Sequence, residues 1–375
     1  MNFIPIKIFF TSYFAKIFYR VILIFFVLDV IFSNFIISSL IRGDCFLYTK
    51  YPANERSYYT YELEKNCRAY ETQRTVKTYN VFTDENGYRV PAKRKIKNNK
   101  IVFLGDSYPY GFGVEYEDSI AGILEKKIDY EIINLGVPGY SPVILRFKLE
   151  KLIKSGVKPE KIFYFMDYTD VNDESNRWTK INNIKHPVIL DEKIHEEIKH
   201  ASKVKGHFKI TRLLIYKVNK LVRNIRKDFN KKKFEEGDKI IGSTPSGSFT
   251  YTHIKDLDKE FWPQNSFEDG INNIMKNVKL ISSMAKEINS SFYIVIYPWP
   301  ETLEYGEKYF SWQDFASALC QFSKCTKLIN SFPQFYNIKR EFLHWKKEYY
   351  NLQDIHLNAR GYSLLADVIY NDIFN

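Results

Sequence analysis

Apolar residues along this chain fall into two alternating patterns. Continuous runs rich in β-branched and aromatic residues occur at 100–104, 130–135, 161–167, 291–297 and 326–331, as expected of strands buried on both faces. Between them, apolar residues recur at helical spacing over 117–127, 143–155 and 267–288, with a last such stretch at 358–373. Strand and helix in alternation predict an α/β domain built on a parallel, doubly wound sheet. The sequence has no internal repeat and no low-complexity tract.

Three stretches stand outside that alternation. Residues 21–41 (VILIFFVLDVIFSNFIISSLI) form an apolar run interrupted by Asp29 and Asn34. A bilayer-spanning helix needs roughly 20 apolar residues. The run precedes the folded part and has no amphipathic period, so residues 1–45 are expected to be a cytoplasmic tail and one N-terminal transmembrane helix. Lys7, Lys16 and Arg20 precede the run, which keeps the N-terminus inside by the positive-inside rule. No small-x-small cleavage site follows it, and Cys45 lacks the small residues expected before a lipidated cysteine. The rest of the chain is therefore expected outside the cytoplasm. Residues 46–95, rich in tyrosine and charge, read as a loose N-terminal extension, and residues 96–375 as the domain itself.

The third stretch is an insertion at about 175–265, too long for a structureless connection. Within it Lys209–Phe229 (KITRLLIYKVNKLVRNIRKDF) has apolar residues at helical spacing and a basic remainder, followed by Lys231–Lys233. Such a helix fits a solvated face over a core stripe. It also fits a lid that holds an anionic glycan, or a surface resting on anionic headgroups. The formal net charge of +11 is compatible with each. A domain outside the cytoplasm is a poor partner for nucleic acid, and no nucleic-acid recognition motif occurs.

Four cysteines add a redox reading. Cys320 and Cys325 are close enough in sequence to pair, and Cys45 can pair with Cys67. Disulfides persist in oxidising compartments, but free cysteines also serve as small buried apolar residues. No Cys-x-x-Cys occurs and the histidines are scattered, so neither a metal nor another cofactor is expected.

Candidate chemistry lies at the strand ends. Residues 101–114 read IVFLGDSYPYGFGV, leaving Ser107 at the carboxyl end of a strand and the start of a helix. Open α/β sheets place their chemistry there, and backbone amides at a helix start can stabilise an oxyanion. Near the C-terminus, NLQDIHLNARGY carries Asp354 and His356 two residues apart. A serine hydroxyl needs an imidazole to take its proton, and a carboxylate to hold that imidazole in the right tautomer. In EIINLGVPGYSP, Gly136 lacks a side chain, so its amide can come close to a substrate oxygen. It can equally be an ordinary strand-to-helix turn.

The chain resembles the SGNH/GDSL hydrolase superfamily. GDSYPYGFGV is similar to the nucleophile block, NLGVPGYSP to the glycine block and DIHLNARGY to the block carrying the base. The likeness runs from about Thr83 to the C-terminus, without the insertion. IVIYPWPETL and the stretch from Cys320 to Pro333 resemble a bacterial, envelope-associated subgroup. The resemblance implies a three-layer flavodoxin-like fold, with Ser107 as nucleophile, His356 as base and Asp354 orienting it. The amides of Ser107 and Gly136 would then form part of the oxyanion hole. One block departs from the family. Where it has asparagine in a Gly-Asn-Asp step, this chain reads Tyr168-Thr169-Asp170, so Thr169, or Asn172 three residues on, is left as the further donor.

These readings lead to a serine esterase held at a bacterial inner membrane, its catalytic domain periplasmic or extracellular. Its expected substrate is an acylated envelope carbohydrate, and O-acetyl esters are the expected acyl groups. The same residues serve an O-acyltransferase working with a separate membrane acyltransferase partner. A non-catalytic glycan-binding or scaffold protein is the alternative of another class.

Overall fold

The computed structural model describes residues 13–31, 44–53, 56–71, 78–180, 186–189, 267–307, 310–351 and 354–375. It divides into two units, one comprising residues 1–42 and 197–240, the other the remainder. In the first, the described part is a single helix, Tyr13–Ile31. It begins eight residues before the expected span and exposes Phe18, Tyr19, Val21, Leu23, Ile24 and Val27. Residues 32–41 of the expected span lie outside the described residues, and among the described residues no helix is long and apolar enough to cross a membrane.

The second unit is built on five parallel strands: β1 Lys100–Leu104, β2 Glu131–Asn134, β3 Lys161–Met166, β4 Ser291–Ile296 and β5 Lys327–Asn330. All four residues of β2 and every residue but the first of β1, β3 and β4 are buried. That two-sided burial is why these runs read as continuous apolar sequence. Their spatial order is β2-β1-β3-β4-β5, the flavodoxin-like arrangement, which reverses direction between β1 and β3. Right-handed crossovers put helices on opposite faces where the direction reverses. Accordingly Ile120–Lys127 packs with Ala359–Ile373, while Pro142–Lys154 and Trp312–Ser323 both pack with Phe267–Glu287.

Residues 46–95 are not a loose extension. Phe46–Ala53 and Arg56–Leu63 form an antiparallel ribbon, and Arg68–Glu71, Tyr79–Thr83 and Arg89–Val90 a second antiparallel sheet. In the second sheet the side chains alternate in burial, as in Arg68–Glu71 and Tyr79–Thr83, a period-2 pattern masked in sequence by tyrosine. Cys45 and Cys67 are joined across these strands with Cα atoms 5.9 Å apart. Cys320 and Cys325 are joined at the end of helix Trp312–Ser323. Of the insertion, Trp178–Thr179 and Val188–Ile189 pair with each other and extend the ribbon. The basic stretch Lys209–Phe229 lies outside the described residues.

Candidate functional site

Strand β1 delivers Gly105, Asp106 and Ser107 to the switch point between β1 and β3. Gly105 has φ +154°, and a Cβ there would lie 2.7 Å from Pro109 and 3.0 Å from Phe165. The turn therefore requires glycine. Helix Ser107–Tyr110 follows, its first turn capped by the Asp106 carboxylate, which accepts from the Tyr108 amide at 3.4 Å. Left-handed Gly111 (φ +81°) closes it.

The end of this helix is held from below. Fully buried Arg89 donates to the carbonyls of Tyr110 and Gly111 at 2.6 Å each and of Val114 at 2.7 Å. Its guanidinium lies over the rings of Tyr79 and Tyr110, whose hydroxyls both donate to Glu71. Burial pushes the Glu71 carboxyl up, although these hydroxyls and Arg89 act against it.

Ser107, Asp354 and His356 meet in one line. His356 Nε2 is 2.8 Å from Ser107 Oγ, and His356 Nδ1 is 2.5 Å from Asp354 Oδ1. The loop is self-braced, Asn351 donating to the His356 carbonyl and Asp354 to the Asn351 carbonyl. The ring of Phe112 lies 4.2 Å from that of His356. Burial alone would raise the Asp354 carboxyl. The hydrogen bond and charge of His356, with the His356 and Ile355 amides, outweigh it and leave Asp354 below the ordinary range.

The three further expected oxyanion donors, Gly136, Thr169 and Asn172, each have a hydrogen-bond partner within the protein. The Gly136 amide donates to Asn134 Oδ1 at 2.9 Å, while Asn134 Nδ2 donates to the Pro109 carbonyl. A Cβ on Gly136 would lie 2.9 Å from Pro109 and from the Tyr110 nitrogen, so this glycine makes room for the Ser107 helix. The Thr169 hydroxyl bonds to Asp167 Oδ1 at 2.9 Å, with Asp106 Oδ2, the neighbour of Ser107, at 3.5 Å. The Asn172 side chain accepts from Asn176 and has no hydrogen bond to the Ser107 group among the described residues.

A group of acids not singled out by the sequence lies beside Ser107. Asp106 Oδ2 is 3.2 Å from Ser107 Oγ. Asp167, at the end of β3, accepts from the Thr169 amide and hydroxyl on one oxygen, and from Tyr297 (2.9 Å) and Trp299 (3.1 Å) on the other. Asp170 accepts from Tyr164 at 2.5 Å. Burial drives the Asp106 and Asp170 carboxyls well above the ordinary range; Asp167 and Asp173 add to it at Asp106, and Asp106 and Asp167 at Asp170. The signal was the acid-rich MDYTD step itself, read only for its Thr169 position. Among the described residues, no group of three or more His, Cys, Asp or Glu is placed to hold a metal ion.

No family model matches the chain, and no curated protein matches it in sequence. Solved structures similar to it include TesA, at 11% identity and a TM-score of 0.40 over 74% of this chain and 98% of that one. A G-D-S-L family lipolytic protein of Veillonella parvula shows 13% identity and a TM-score of 0.40, covering 74% and 98%. An acetylxylan esterase of Geobacillus stearothermophilus shows 10% identity and a TM-score of 0.40, covering 75% and 97%. The chain is thus similar to lipolytic proteins of the G-D-S-L family and to acetylxylan esterases.

Proposed function

We propose that this chain is a serine esterase of the SGNH/GDSL type, acting on acyl esters of a carbohydrate outside the cytoplasm. The observation that carries the reading is the contact of Ser107 Oγ with His356 Nε2 at 2.8 Å, with Asp354 on the far imidazole nitrogen. Asp354 accepts the Nδ1 proton, which leaves the Nε2 lone pair facing the serine hydroxyl. Ser107 Oγ attacks the ester carbonyl and His356 takes its proton. His356 then returns that proton to the leaving alcohol, and the acyl group stays on Oγ. A water, deprotonated by the same imidazole, releases the acid and restores Ser107. The Ser107 amide, in the first turn of its helix and without an intrahelical partner, faces the oxyanion.

The location rests on two further observations. The disulfides Cys45–Cys67 and Cys320–Cys325 suit an oxidising compartment. Helix Tyr13–Ile31 carries exposed apolar side chains, in keeping with an N-terminal membrane anchor. O-acetyl groups on an envelope glycan are the substrate that fits this location. The test is acetate release from acetylated oligosaccharides by the wild type and by Ser107→Ala. Release that survives in Ser107→Ala contradicts the mechanism, and release from simple acetyl esters but no acetylated glycan contradicts the substrate class.

A further inference from the structure

If Ser107 is the nucleophile of an esterase, the reading on which this inference rests, the protons around it are constrained. Ser107 Oγ has one proton and two neighbours able to take it: His356 Nε2 at 2.8 Å and Asp106 Oδ2 at 3.2 Å. Catalysis requires that proton to go to His356. Thr169 Oγ1 likewise has one proton and two neighbours, Asp167 Oδ1 at 2.9 Å and Asp106 Oδ2 at 3.5 Å. The shorter contact assigns it to Asp167. Both hydroxyl oxygens then present lone pairs to a single atom, Asp106 Oδ2. An ionised carboxylate has no hydrogen to offer there, and three oxygens would face one another with no proton between them. The other Asp106 oxygen, Oδ1, is occupied as acceptor by the Tyr108 amide.

We propose that Asp106 works as a neutral carboxylic acid whose Oδ2–H donates to Ser107 Oγ and Thr169 Oγ1, leaving the serine proton to His356. Its surroundings agree with that state. Asp106 is 4% exposed and Asp167 1% exposed, and Asp167, with donors on both of its oxygens, is the member of the pair built to be an acceptor. Two buried carboxylates that meet at one hydroxyl, that of Thr169, are not both ionised at ease. The groups facing Asp106 from other elements are acids and neutral phenols, Tyr61 of the ribbon among them, with the His356 imidazole on the far side of Ser107 Oγ. Asp167 ends β3, Asp170 and Asp173 follow it, Tyr297 follows β4, and Tyr362 is on the last helix. Burial, then Asp167, pushes the Asp106 carboxyl well above its ordinary range, while the Tyr108 amide and Ser107 hydroxyl pull weakly the other way.

The consequence is a loss of reactivity on the alkaline side. When Asp106 ionises it becomes a second acceptor for the Ser107 proton, in competition with His356, and the nucleophile is turned away from its base. Asparagine reproduces the proposed state without a titration. Its oxygen can keep the Tyr108 amide, and its NH₂ can donate where the Oδ2–H did.

The experiment follows fluorophosphonate modification of Ser107 against pH in the full-length wild type, D106N and D106A. D106A is expected to slow modification at neutral pH by about tenfold or more, D106N to recover most of that loss, and the alkaline fall of the wild type to be absent from D106N. A D106N protein as slow as D106A, or one with the wild-type alkaline fall, overturns the proposal. Infrared spectra give a readout independent of chemistry at Ser107. The wild-type minus D106N difference spectrum should contain a protonated-carboxyl stretch at neutral pH, over any band from the other raised carboxyls such as Asp170, and its absence from the difference overturns the proposal as well. If S107A reacts as fast as the wild type, the esterase reading fails instead, whereas the infrared band still reports on Asp106.

Discussion

The hydroxyl of Tyr108, the residue after Ser107, donates to the carbonyl of Ile355 at 2.6 Å, between Asp354 and His356. The bond joins segments 247 residues apart in sequence and bypasses the sheet. The Tyr108 ring is stacked on Tyr297 at 3.9 Å, so the hydroxyl has little freedom to move elsewhere. The spacing of Ser107 from His356 is thus set by one side chain reaching across the site.

Removing that hydroxyl should loosen the catalytic line more than the fold. Tyr108→Phe keeps the ring stack and leaves the Ile355 carbonyl without its donor, a loss on the order of 1 kcal/mol in stability. Misplacement of a reacting group by about 1 Å can cost about 10²-fold in rate, so kcat should fall by roughly 10–100-fold with KM little changed. Steady-state kinetics on a small acetyl ester check this. A variant within twofold of wild type would show that Tyr108 does not position the His356 loop.

A second expectation concerns the support beneath the helix. Arg89 is fully buried and donates to three main-chain carbonyls at the C-terminal end of the Ser107 helix and just beyond. Arg89→Met should cost on the order of 3–5 kcal/mol, because three buried acceptors lose a charged donor and Glu71 loses the nearby positive charge. Arg89→Lys should recover only part of this, since one ammonium cannot span carbonyls reached by two guanidinium nitrogens. Denaturant midpoints measure both. A methionine variant as stable as wild type would contradict the bracing role.

Glu174 links the β3 turn to the helices behind it and makes stability depend on pH. Its carboxylate accepts from the Ser141 hydroxyl, the Val143 amide and Asn277. Burial nevertheless pushes its pKa from an ordinary 4.5 up to about 7. A folded-state pKa above the unfolded one means that the native protein holds the proton more tightly. The associated stability is fully present below about pH 4.5 and is lost as pH rises through about 7. Glu174→Gln cannot ionise, so the difference in unfolding free energy between variant and wild type should shift in the variant's favour between pH 5 and 8. The shift should be on the order of 3 kcal/mol. A difference that stays constant with pH would show that Glu174 does not titrate in this window.

Much of the molecule was legible in sequence because its sheet is buried on both faces. β1 to β4 sit within one residue of the expected ranges, since a run such as Ile101–Leu104 has no polar face to blur its ends. Ser107, Asp354 and His356 were legible because each sits in a short block whose neighbours are dictated by the same turn or loop. The antiparallel sheets before residue 95 were not, because tyrosine serves equally as buried or half-exposed residue and conceals a period of 2. Helix Phe332–Glu341 was missed as well: FPQFYNIKRE buries only Phe332 and Phe335, too narrow a stripe to mark a helix. Gly136 is a different case. The direction of a glycine amide is decided by what accepts from it, here the side chain of Asn134 two residues earlier. Asp106 and Asp167 could not be paired from sequence, because their meeting depends on β1 and β3 being neighbours at the switch point.

The central claim is that Ser107 is a nucleophile activated by His356. Its most direct test is reaction of the full-length protein with a fluorophosphonate, followed by peptide mass spectrometry to locate the adduct. The account predicts a single phosphonyl adduct on Ser107, absent from Ser107→Ala and slowed by on the order of 10³-fold or more in His356→Ala. An unlabelled wild type, an adduct on another residue, or undiminished labelling in His356→Ala would contradict it.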